Sequence, residues 1–71
     1  MPANAFTFTF YDKERGAWVP AKPQRWKTFA GARKAMDRWH LAMADKGWKP
    51  DCRVERLYAA AGALHFQEAS A

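Results

Sequence analysis

Apolar and polar positions alternate without a break from Ala5 to Tyr11. Phe6, Phe8 and Phe10 fall on one side, and Thr7, Thr9 and Tyr11 on the other, which is the period of a half-buried strand. Asp12-Lys13-Glu14-Arg15-Gly16 is a four- or five-residue loop, and Ala17-Trp18-Val19 returns as a second strand. The pattern thus predicts a hairpin over residues 5–19. Pro20 and Pro23 lack the N–H a ladder needs, so the chain bends or runs along an edge there. Gln24-Arg25-Trp26-Lys27 reads as a short edge strand with Trp26 inward.

From Phe29 the period becomes helical. Phe29, Ala32, Met36, Trp39 and Met43 are spaced 3-4-3-4, and Ala35 and Ala42 widen the stripe. Thr28 stands where an N-cap hydroxyl belongs. Gly47 stands where a left-handed residue ends a helix, and Trp48 can fold back on Met43 or Ala44. Lys46 falls in the last turn, where a cation complements the helix dipole. One helix is predicted over residues 29–46. Beyond Trp48-Lys49-Pro50-Asp51, Cys52–Ala59 reads as a strand. Its alternation slips between Val54 and Leu57, which leaves a bulge or an unfixed register open. Ala60-Ala61-Gly62 is a tight turn. Residues 63–68 return with Leu64 and Phe66 inward, making a second hairpin over 52–68, and the last three residues fray.

One amphipathic helix and strands with one apolar face bury those faces only against each other. The expected fold is an α+β two-layer sandwich in a single domain over residues 1–71. An antiparallel sheet of four strands, or five if residues 24–27 pair, carries one long helix. Phe6, Phe8, Phe10, Met36, Trp39, Met43, Val54, Leu64 and Phe66 form the expected core. Thr7, Thr9, Tyr11, Arg53, Glu55, His65 and Gln67 form an open polar sheet face.

Composition narrows what such a fold can do. Of 71 residues, 49% are hydrophobic, but fifteen are Ala, so the 15% aromatic content must supply much of the core. A single Cys gives no disulfide framework and no multi-Cys zinc site. The N-terminal residues have no basic segment followed by an apolar run, so neither a signal peptide nor a membrane span is read, and a cytoplasmic location is expected. Catalytic constellations are nearly empty. His40 and His65 are the only imidazoles and Cys52 the only thiol, and nothing marks Cys52 as a nucleophile. No metal-ligand spacing or Gly-rich phosphate loop occurs. We therefore expect no catalysis, no cofactor and no small-molecule substrate.

The net charge of +5 is uneven: +6 over residues 1–50 and −1 over 51–71. Two surfaces collect cations. Along the Pro-interrupted edge, Trp18, Lys22, Arg25, Trp26 and Lys27 interleave aromatic and basic side chains. Such a pattern neutralises phosphates, stacks on bases or anchors a protein contact. Alternatively, Trp18 and Trp26 belong to the core with cations snorkelling around them. On the outer helix face, Lys34 and Arg38 lie one turn apart beside Leu41, an apolar side chain expected to be exposed.

Residues 5–46, a hairpin with Trp18 followed by Trp26-Lys27-Thr28-Phe29 entering a helix, resemble in layout the sheet-plus-helix DNA-binding domains of phage integrases. That resemblance implies DNA binding through the sheet. The order from Thr28 to Glu68, with a helix, the Val-Glu-Arg-Leu-Tyr strand, a Gly-containing turn and a last strand, is similar to that of small anti-CRISPR proteins of phages and mobile elements. This second resemblance implies a non-enzymatic inhibitor that docks on a host nucleoprotein complex and blocks nucleic-acid or partner binding. The expected contacts are Trp18, Lys22, Arg25, Trp26, Lys27, Lys34, Arg38 and Leu41. The alternatives are a DNA-binding domain using the same cations, and a small oligomerisation subunit whose edge strands pair with a second copy. Monomer and homodimer both stay open.

Overall fold

The computed structural model describes residues 5–70. Four strands, β1 (Ala5–Asp12), β2 (Ala17–Pro20), β3 (Cys52–Ala60) and β4 (Ala63–Glu68), form one antiparallel sheet in the order β2-β1-β3-β4. One helix, α1 (Phe29–Asp45), packs against β1 and β3. The α+β sandwich expected from the hydrophobic pattern is what forms, with the sheet curled into a half-barrel. The fifth strand is reduced to one bridge. Trp26 and Phe6 exchange backbone hydrogen bonds at 2.7 and 2.8 Å, and the rest of 24–27 makes no ladder.

Both helix ends form as their residues dictate. The Thr28 hydroxyl accepts from the Gly31 N–H at 3.0 Å, satisfying one of the donors that a first turn leaves free. At the other end Gly47 takes φ 87°, Gly47 N–H donates to Ala44 O, and Trp48 N–H donates to Met43 O. That pair of bonds is the Schellman arrangement. Lys46 is therefore the C-cap residue rather than a member of the last turn. The Trp48 backbone folds back on Met43 as expected. Its ring packs edge-on against Phe10 and Trp39, at 5.1 and 5.5 Å between ring centroids.

The helix-side core is aromatic. Phe8 is fully buried and meets Trp26 and Trp39, Phe10 stacks on Trp39, and Phe6 meets Phe29 edge-on. Ala32 and Val54 are buried with them.

The second hairpin departs from expectation. Its turn is two residues, Ala61 (φ 53°) and Gly62 (φ 75°), not the three of Ala60-Ala61-Gly62. Leu57 therefore opposes Phe66 and Ala59 opposes Leu64, whereas Val54 opposes Phe8. Val54 and Leu57 point to opposite faces, so the slip in the alternation is neither a bulge nor a sliding register. Leu64 and Phe66 are not core residues. They lie on the face away from the helix, 47% and 44% exposed. His65 and Gln67 lie on the helix side, not with Thr7 and Thr9. One residue of turn length inverts a whole strand, because side chains alternate with period two. Ala69 is not frayed either: its N–H donates to Val54 O. The chain ends included in the expected 1–71 domain, residues 1–4 and 71, lie outside the described residues.

The face away from the helix is not the open polar surface the alternation suggests. Thr7, Thr9, Glu55 and Leu57 are all buried there. The curl of the sheet closes over them, and the Thr7 hydroxyl donates to the Gln24 carbonyl in the segment that follows β2. The Glu55 carboxylate is matched, as a buried charge requires. Its Oε2 accepts from the Thr9 hydroxyl at 2.8 Å and from Arg53 Nε at 3.1 Å.

Candidate functional site

The segment between β2 and α1 decides which candidate residues meet. Pro20 ends β2, Ala21 N–H donates to Phe8 O, and the Trp26–Phe6 bridge pins the far end. Since directly opposed residues share a face, the bridge turns Trp26 to the helix side, where its half-buried ring tilts against Phe8 at 5.7 Å. Lys22, Gln24 and Trp26 then form one bank of a groove of about 540 Å³. Ala35, Arg38, Trp39, Ala42 and Met43 of α1 form the other bank.

Lys22 and Arg38, sixteen positions apart, thus line one groove together with two indoles, Trp26 and Trp39. Neither cation forms an ion pair with a described residue, whereas Arg33 is paired with Asp37 at 3.5 Å. The small side chains of Ala35 and Ala42, one turn either side of Trp39, leave its ring accessible from the groove. The residue types suit an anionic group held by the cations together with apolar or aromatic matter against the indoles.

The other candidates do not line this groove, although the hollow that Arg25 lines shares Lys22 and Gln24 with it. Arg25 and Lys27 are exposed on the connecting segment, and Arg25 lines a smaller hollow with Thr7, Pro23 and Phe66. Lys34 and Leu41 project from the outer helix face, Leu41 at 70% exposure. Trp18 is on the opposite face of the sheet, because it opposes Tyr11. Its half-buried ring carries the Arg53 guanidinium at 4.1 Å and meets Tyr11 edge-on. With Thr9, Pro20, Arg53, Glu55 and Phe66 it lines a trough of about 330 Å³. The eight residues expected to form one edge and one helix patch are therefore spread over the groove, the connecting segment, the outer helix face and the far face of the sheet.

Sequence reasoning missed Trp39 as a groove residue and Glu55 as a buried charge. For Trp39 a signal was present, in the Ala-Trp-Ala spacing 35-39-42. For Glu55 the sign was indirect: Leu57, two positions on and therefore on the same face, is a large apolar residue, and the burial itself follows from the curl of the sheet.

His40 and Cys52 share a structural partner, and Asp12 has a turn to close. His40 Nε2 and Cys52 Sγ both approach the carbonyl of buried Pro50, at 3.1 and 3.5 Å. Burial, with Asp51 adding to it, pushes the Cys52 thiol above its ordinary pKa, which disfavours the nucleophilic thiolate. Asp12 closes the first hairpin by accepting from the Glu14 and Arg15 N–H groups. Among the described residues no cluster of three His, Cys, Asp or Glu side chains is placed to hold a metal ion. No helix among them is long and apolar enough to cross a membrane.

Comparison with protein-family models, with curated proteins and with solved structures finds no match to this chain.

Proposed function

We propose that this chain is a non-enzymatic binding module that docks through its basic groove on a host nucleoprotein complex. There it blocks access of nucleic acid or of a partner, as small phage and mobile-element anti-CRISPR inhibitors do. The observation that carries the reading is that Lys22 and Arg38 line one groove with Trp26 and Trp39. Two cations without an ion pair to a described residue, lining a groove with two indoles, suit a phosphate or carboxylate flanked by a base or an apolar side chain. Lys34 and Leu41 extend the contact along the helix, and Arg25 and Lys27 extend it along the connecting segment. Inhibition on this reading is steric.

The test is capture of partners from a host lysate by the tagged chain, with and without nuclease. Capture of a nucleoprotein complex that survives nuclease and is lost in Arg38→Glu supports docking on its protein component. Capture abolished by nuclease assigns the groove to nucleic acid itself, with affinity falling steeply as salt rises. Capture unaffected by Lys22→Glu and Arg38→Glu overturns the groove as the contact.

A further inference from the structure

β4 is unusual within this sheet: every one of its six residues is exposed. It pairs with β3 along one edge, α1 does not reach it, and no described residue pairs with its other edge. Edge strands are commonly guarded by Lys, Pro or a bulge. Ala63-Leu64-His65-Phe66-Gln67-Glu68 has none of these, and its single formal charge is at the end. Two of its side chains are large and apolar.

The backbone register says which groups that free edge offers. In a two-residue hairpin the residues flanking the turn, Ala60 and Ala63, are the hydrogen-bonded pair. His65 and Gln67 then also direct their N–H and C=O groups at β3, and the Ala69 N–H bond to Val54 O continues the series. Leu64, Phe66 and Glu68 direct theirs outward. The residues with free backbone groups are the same ones whose side chains lie on the trough face.

We infer that β4 pairs antiparallel with β4 of a second copy of this chain, about a two-fold axis through His65. This register opposes Leu64 of one copy to Phe66 of the other, twice, with outward-pointing backbone groups on both residues. It joins the two sheets into one of eight strands and covers apolar side chains now in water. A register centred on Phe66 instead sets the Glu68 carboxylate against Leu64, a poorer match. A second copy suits the edge better than a chain of copies joined end to end. The opposite edge strand, β2, is only four residues long and ends in Pro20, so β4-to-β2 pairing has little ladder to form. Pairing β4 with itself closes the assembly. The groove lined by Lys22 and Arg38 lies on the helix side, at the other end of the strand order, and stays open in both copies.

The experiment is sedimentation equilibrium from micromolar to millimolar concentration on the wild-type chain, Phe66→Lys and Leu64→Lys, with circular dichroism as the check on folding. The wild type is expected to approach twice its 8.1 kDa mass, and both variants to stay at 8.1 kDa while folded. Oxidation of His65→Cys in a Cys52→Ser background is expected to give a disulfide-linked dimer. Gln67→Cys, which opposes Ala63 in this register, is expected to give none. A wild-type mass of 8.1 kDa at millimolar concentration overturns the inference. So does a dimer that persists in both lysine variants, or linkage through position 67 and not 65. Should the lysine variants unfold, the cysteine pair decides alone.

Discussion

Thr9 donates its hydroxyl proton to Oε2 of Glu55 at 2.8 Å, diagonally across the β1–β3 seam and on the face that the helix does not cover. Both residues are almost fully buried, and Arg53 supplies the remaining charge, reaching Glu55 with Nε and Glu68 with a terminal nitrogen at 3.5 Å. Removing the donor leaves a buried carboxylate short of one partner. Thr9→Val is expected to cost about 1–3 kcal/mol, whereas Thr9→Ser keeps the bond and costs less. Urea denaturation of both variants measures this. A Thr9→Val midpoint equal to that of the wild type would show that Arg53 alone satisfies Glu55.

The β3–β4 turn holds an alanine at φ 53° next to Gly62 at φ 75°. A left-handed backbone costs an ordinary L-residue roughly 1–2 kcal/mol and costs Asn less. Ala61→Asn is therefore expected to stabilise the fold by up to about 1 kcal/mol. Gly62→Ala is expected to destabilise it by roughly 1–2 kcal/mol, through the backbone alone. Beyond the adjoining residues no described atom lies within 4 Å of the added methyl, so no tertiary clash contributes. Thermal melts of the two variants should move in opposite directions.

Thr28 caps α1, and the first turn contains no acidic residue. Thr28→Ala is expected to cost about 1 kcal/mol. Thr28→Asp keeps an acceptor and places a negative charge at the positive end of the helix dipole, for a gain of about 0.3–1 kcal/mol at low salt. The gain should shrink as salt is added. A salt-independent effect would assign it to the hydrogen bond and not to the charge.

Cys52 holds its proton more tightly in the folded chain than in the unfolded one, through burial first and Asp51 second. The folded state thus binds more protons once the unfolded thiol begins to ionise near its ordinary value of 9.0. Its contribution to stability is complete below that pH and is lost as pH rises through the higher folded value. Cys52→Ser should flatten this part of the alkaline stability profile. Alkylation of Cys52 in the native chain should be slower at pH 8 than in urea; equal rates would contradict the protection.

Lys22 and Arg38 share one groove, so their effects on partner capture should not add. Lys22→Glu and Arg38→Glu are each expected to weaken capture by at least about tenfold, and the double variant by less than the product. Lys34→Glu and Leu41→Glu, outside the groove, should have smaller effects. Strict additivity of Lys22 and Arg38 would place them on separate contacts.

Much of this architecture was legible in the chain. The Phe6-Phe8-Phe10 alternation put three rings on the helix, and the 3-4-3-4 spacing with Thr28 and Gly47 marked the helix to within one residue. The orientation of β4 was not legible. Alternation says that Leu64 and Phe66 share a face, but which face depends on whether the turn has two residues or three. Val54 and Leu57, an odd number apart, were the available sign that β3 buries side chains on both faces. The candidate site was legible only as residue types. That Lys22 and Arg38 line one groove depends on the path of residues 20–26, which a bridge and two hydrogen bonds to β1 determine, whereas Trp18 goes to the other face through its pairing with Tyr11.

The placement of the four indoles has an optical consequence. Trp39 of the helix and Trp48 just beyond its C-terminus lie 5.5 Å apart at 74°, a geometry that couples their strong far-ultraviolet transitions in circular dichroism. Trp18, against the Arg53 guanidinium on the far side of the sheet, takes no part in that pair. Loosening at the end of the helix and loosening of the trough therefore carry separate spectral signatures. Ligand binding at either face can be followed in the unlabelled chain.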